Sequence, residues 1–127
     1  VKHSAETDII SLRRILGYIM DIGECFDHFV VESHADFAAN RLAQYAITQI
    51  ITNIAEIRKD ISDATLLLLP GFSRIKVIGA RNIASHAYEQ VNFRIIYDIC
   101  GMLQSENVVK ELNGVIYGVD GNDRQNS

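Results

Sequence analysis

Arg81, Asn82, His86 and Tyr88 stand within one short string, Arg81-Asn82-Ile83-Ala84-Ser85-His86-Ala87-Tyr88. A permanent positive charge, an amide, an imidazole and a phenol are groups that can act together on a phosphodiester. On a helix turning about 100° per residue, Arg81, Ser85 and Tyr88 form one i, i+4, i+7 stripe. Asn82, His86 and Glu89 form the adjacent stripe, and Ala80, Ala84, Ala87 and Val91 take the opposite, core-facing side. Small residues between the polar ones allow a second helix or a second subunit to approach closely. This set suits RNA cleavage without a metal. The attacking 2′-hydroxyl must lose a proton and the leaving 5′-oxygen must gain one, and an imidazole with a pKa of about 6.5 serves either need. Arg81 can grip phosphate oxygens bidentately and stabilise the charge of the transition state. Asn82, one turn from His86, can orient the ring or bond the phosphate. One helix supplies one such histidine, so acid and base are combined most simply when two copies face each other across a two-fold axis.

An arginine five residues before a histidine is cheap in a chain of this composition. The longer R-N-x-x-x-H-x-Y string is on the order of a thousand-fold rarer. The competing reading makes Arg81 and Glu89 surface charges, His86 a satisfied surface histidine and Tyr88 a packing aromatic.

The elements that must carry this string read as helices. Ser4 is placed to cap a first helix, with Glu6 and Asp8 in its first turn, where acids suit the helix dipole. Ile9, Leu12, Ile15, Leu16 and Ile19 recur at helical spacing, and the pattern runs to about Val31. A second helix is expected over 35–61, with Leu42, Ala46, Ile50, Ile54 and Ile57 as its stripe. Pro70-Gly71 reads as the clearest turn, Ser73 as the start of a third helix continuing to about Tyr88, and Asn92 as the cap of a fourth. That fourth helix offers Ile95, Ile96, Ile99, Met102 and Leu103 as its apolar face. After Tyr117 the chain is small and polar, and the expectation is a helical domain over 1–117 with a disordered tail at 118–127. The fold class is therefore all-α, an antiparallel bundle of four to five helices.

Composition narrows the function classes. The chain has 127 residues, 48% of them hydrophobic, enough for one domain with a core. Net charge is −4, which argues mildly against broad nonspecific binding to nucleic acid. Between Arg58 and Arg94, however, six basic residues stand against three acidic ones, so this span is +3 and the remainder −7. Arg74 and Lys76 lie in that span and, with Ser85, are candidate RNA contacts. Cys25 and Cys100, far apart and outside any C-x-x-C pattern, are read as buried apolar residues of a reducing compartment. No secretory signal or spanning segment is seen, so a cytoplasmic location is expected. Glu24, His28 and Glu32 stand at i, i+4 spacing and read as a solvated stripe rather than a metal site. His3 and His34 are expected to face solvent. No cofactor is implied.

Residues 81–88 resemble the R-x-x-x-x-H-x-Y signature of HepT toxins in the HEPN superfamily, including the polar residue after the arginine. Leu69-Pro70 and the Ile-rich approach through Ile75, Val77, Ile78 and Gly79 are also similar. Ile54-Ala55-Glu56-Ile57 resembles the family's I-G-E-A segment, with Ala55 in place of the glycine and Ile57 of the alanine. The similarity spans roughly 8–115, and the motif is its specific part. It implies a helical homodimer with the motifs at the interface, and a ribonuclease toxin paired with a MntA-like nucleotidyltransferase antitoxin. It further implies that the antitoxin transfers AMP to Tyr88. A bulky anion beside Arg81 and His86 would fill the phosphate site and repel RNA. The alternative function is a non-catalytic HEPN module that docks a nucleotidyltransferase and helps present its substrate. Membrane association is not expected.

Overall fold

The computed structural model describes residues 5–76 and 93–126, with side chains described as far as Gly118. These residues form seven helices and no strand: α1 (Ala5–Phe29), α2 (His34–Ala39), α3 (Arg41–Arg58), α4 (Asp63–Leu66), α5 (Pro70–Arg74), α6 (Phe93–Leu103) and α7 (Glu106–Asn126). The all-α class holds. Four of the helices are long, and α2, α4 and α5 are short pieces that turn corners.

The long helices meet along apolar stripes. Leu12, Ile15, Ile19 and Ile22 of α1 are buried at three- and four-residue spacing, as a helix with one core-facing side requires. They face Ala43, Ile47, Ile51 and Ile54 of α3, and α1 also packs on α6 and α7. Ile96, Ile99, Cys100 and Leu103 of α6 and Val108, Leu112 and Ile116 of α7 complete the core. Phe37 of α2 is fully buried and meets Phe26, Phe93 and Tyr97 at ring-centroid distances of 5.8–5.9 Å.

The expected second helix is broken in two. Asn40 is extended (φ −115°, ψ 101°), closes α2 and caps α3, its side chain accepting from the Ala43 amide at 2.9 Å. Gln44 then donates to the carbonyls of Phe37 and Ala38 at 2.8 and 2.9 Å, satisfying the end of α2. Asparagine competes well for a cap because its short amide reproduces a backbone partner. The expected stripe of α3 holds in its second half, where Ile54 and Ile57 are buried and Ile50 packs on the core, but at the start of the helix the core face is rotated by one residue. Leu42 is 63% exposed, whereas Ala43 and Ile47 are fully buried. The helix is apolar over a wide arc, and the packing of α1 selects the side. On α6 the same happens to Ile95 and Met102, which are exposed.

Pro70 opens α5 at its first position, where a missing N–H costs nothing and a fixed φ suits the helix. The expected turn is thus the start of a helix. Ser73 lies inside it, and Ile75 is already extended (φ −73°, ψ 124°), so no helix runs from Ser73 through Ile75.

Candidate functional site

Arg81, Asn82, Ser85, His86 and Tyr88 lie outside the described residues. What the structure places is the corner from Ser62 to Lys76 that delivers the chain to them, together with the two remaining candidate RNA contacts, Arg74 and Lys76.

Three polar latches fix that corner. The first is Asp8 of α1, which is 2% exposed. Its carboxylate accepts from the Ser62 and Thr65 hydroxyls, both at 2.6 Å, and from the Ser62 amide at 3.3 Å. Ser62 Oγ in turn accepts from the Thr65 amide and caps α4. A buried carboxylate is tolerated only when satisfied, and this one ties the first turn of α1 to the first turn of α4.

The second latch is Glu111 of α7. Leu69 precedes α5 and has no side chain that can cap it. Glu111 does so from another helix, its two oxygens accepting from the Gly71 and Phe72 amides at 2.8 and 2.9 Å. A carboxylate there also meets the positive end of the helix dipole. Glycine at 71 leaves room for the Glu111 and Asn107 side-chain ends to come this close. A Cβ would stand 2.7 Å from Asn107 Nδ2 and 2.8 Å from Glu111 Oε2.

The third latch is Arg58 at the end of α3. Its guanidinium donates to the carbonyls of Ser73 and Ile75 at 2.8 and 2.7 Å and lies 5.5 Å from the Phe72 ring centroid. It thereby takes up carbonyls left over where α5 ends. Burial lowers its pKa from the ordinary arginine value. No carboxylate pairs with it among the described residues.

Arg58, Lys59 and Lys76 border a cleft of about 500 Å³ whose apolar wall includes Ile61 and Ile75 and which Asp63 also lines. Arg74 does not share it. It lines a smaller groove of about 230 Å³ with Met102 and Asn107. Of the two candidate contacts, only Lys76 joins Arg58 and Lys59. Arg58 and Lys59 were visible in the sequence only as members of the basic span. Asp8 and Glu111 carried no signal of their role, because a carboxylate that bonds a distant backbone looks like any surface acid.

The lesser candidates resolve simply. His34 does not merely face solvent: its Nε2 lies 2.6 Å from Asp98 Oδ1, and its ring lies against that of Tyr97, tilted by 55° with centroids 4.6 Å apart, joining α2 to α6. Glu32 lies beyond the end of α1, where Val30 takes φ 55°, so it cannot share a helical face with Glu24 and His28. No cluster of three or more His, Cys, Asp or Glu that could hold a metal occurs among the described residues. Cys25 and Cys100 are free thiols. Burial, and secondarily the Cys25 thiol, push Cys100 up to about 12. No described helix is long and apolar enough to cross a membrane.

A family model described as ribonuclease HepT-like matches residues 15–106. The chain belongs to the HepT-like ribonuclease family. The match spans α2 to α6 whole, most of α1, and the Arg81–Tyr88 string, so the motif that resembles the HepT signature lies within the matched region. No curated protein and no solved structure matches the chain.

Proposed function

We propose that this HepT-like chain is a metal-independent endoribonuclease, the toxin of a toxin–antitoxin pair, in which Arg81, Asn82 and His86 carry the chemistry. The single observation that supports this most is a ribonuclease-family match enclosing an intact Arg81–His86 pair. Arg81 neutralises the phosphate, His86 moves the proton, and Asn82 orients the ring or the phosphate. Arg74, Lys76 and Ser85 contact the RNA backbone. The active form is a homodimer, which brings two histidines to one phosphodiester. Tyr88 is the regulatory position. A phenol with an ordinary pKa of about 10 is a poor base at neutral pH. AMP attached there by a MntA-like nucleotidyltransferase would set a second phosphodiester against Arg81 and His86. RNA cleavage in EDTA tests the assignment: wild type cuts, and Arg81→Ala and His86→Ala do not. Activity that survives His86→Ala overturns it. Intact mass after co-expression with the antitoxin tests the regulation. AMP adds about 329 Da, fixed by the chemistry of the group, to wild type and not to Tyr88→Phe.

The net charge of −4 supports a second reading, a non-catalytic module that docks a nucleotidyltransferase. Under that reading no cleavage is seen with any variant, and the partner's own activity depends on this chain.

A further inference from the structure

We infer that the cleft bordered by Arg58, Lys59 and Lys76 is a subsite for a phosphodiester of the RNA strand flanking the bond that is cut; this rests on the ribonuclease reading above. Three cations border this cleft, and among its lining residues Asp63 is the carboxylate that opposes them. Arg58 decides the sign of the site. Its guanidinium is half-buried and bonded only to neutral carbonyl groups and an aromatic face, with no counter-ion among the described residues. A desolvated cation held by dipoles alone keeps its full charge and gains when an anion arrives. Lys76 has no ion-pair partner among the described residues. Among the described residues Lys59 pairs with Glu56, at 3.4 Å and with both side chains 46% exposed, a pairing weak enough to be exchanged for phosphate.

The shape fits a nucleotide of a strand rather than a bare ion. A volume of about 500 Å³ is within the range of small-molecule sites. Ile61 and Ile75 supply an apolar wall for a ribose or base, and the lysines stand exposed at the edge, where a backbone would pass. Covalent geometry keeps the cleft near the motif. Lys76 precedes Arg81 by five residues, so their Cα atoms lie no more than roughly 18 Å apart however the chain runs. A few nucleotides of single-stranded RNA span that distance. Lys59 and Lys76, exposed and flexible, meet the charge of the strand's backbone, which every sequence carries.

The test is binding of a 2′-O-methyl RNA oligonucleotide, which lacks the attacking hydroxyl, followed by fluorescence anisotropy over a range of salt. The variants are Lys59→Gln/Lys76→Gln and, as a control of equal charge change, Arg14→Gln/Lys110→Gln; all four residues are exposed. The cleft variant is expected to bind about tenfold more weakly at low salt. Its plot of log affinity against log salt should lose about 1.4 of slope, two phosphate contacts' worth for a single strand. The control should stay within about twofold of wild type. Equal weakening by both variants, or none by the cleft variant while wild type binds and cleaves, overturns the subsite and leaves the ribonuclease standing. A wild type that neither binds nor cleaves RNA overturns both.

Discussion

The four long helices and the α4–α5 corner are held together by different physics. In the bundle, α1, α3, α6 and α7 meet along stripes of Leu, Ile, Val and Ala, and the contact is non-directional burial. In the corner, α4 has four residues and α5 has five, too few for an amphipathic face to specify their placement. Phe72 and Leu69 are fully buried there, but three directional latches from distant helices, Asp8, Arg58 and Glu111, set the orientation. The lesson concerns function. The corner is the part that leads into the motif, and it is fixed by bonds with defined geometry, whereas the part that supplies stability needs only to exclude water.

This contrast can be broken most easily in the core. Ile15→Ala removes a fully buried side chain from the α1 stripe and is expected to cost ~2–5 kcal/mol in urea unfolding. A loss below 1 kcal/mol would mean that the stripe is not the source of stability. Next in size is Asp8→Asn, which weakens three bonds to a buried carboxylate. Hydrogen bonds to charged groups are worth ~1.5–3 kcal/mol, and a fall of that order is expected in the same experiment. Glu111→Gln should be smaller still, ~1 kcal/mol, because capping is worth about that much. Its effect should be local: hydrogen exchange at Gly71 and Phe72 quickens while the amide of Ile47 in α3 is unchanged. Uniform acceleration would show that corner and core form one cooperative unit.

Two weaker effects sharpen the picture. Cys100 is buried and its pKa is raised to about 12, so it should resist thiol reagents at pH 8 until the protein unfolds. The sign is that of a group stabilised in its neutral form. The contribution is complete below the ordinary thiol value of 9.0 and is lost as pH rises from there towards about 12. Rapid labelling of Cys100 at pH 8 without unfolding would contradict the packing of α6 on α1. The smallest effect concerns the C-terminus. Ile116 is buried and Tyr117 receives Arg13 over its ring at 5.7 Å, so a chain ending at Tyr117 keeps both contacts. Its unfolding free energy should match that of the full chain within ~0.5 kcal/mol.

How much was legible follows from the range of each interaction. Helical periodicity is local, so the all-α class, the α1 stripe of Leu12, Ile15 and Ile19, and the extent of α6 from Phe93 could be read along the chain. The Arg81–Tyr88 string was legible for the same reason, since its residues lie side by side in sequence. Where two apolar faces competed, as at Leu42 against Ala43 or Ile95 against Ile96, periodicity was indifferent, and the neighbouring helix decided. The break at Asn40 was missed because its capping value depends on Gln44 reaching back to α2.

What the sequence by itself determined is therefore the helical class, the apolar stripe of α1 and the chemistry available at Arg81, Asn82, His86 and Tyr88, all properties of neighbours along the chain. Tertiary structure alone decided that Asp8 closes on Thr65, 57 positions away, that Glu111 caps a helix begun at Pro70, and that Arg58 meets Ile75 beside Lys76. The physical reason is that a charged side chain's worth depends on its partner and its solvent. Both are set only when helices distant in sequence pack together and take water away.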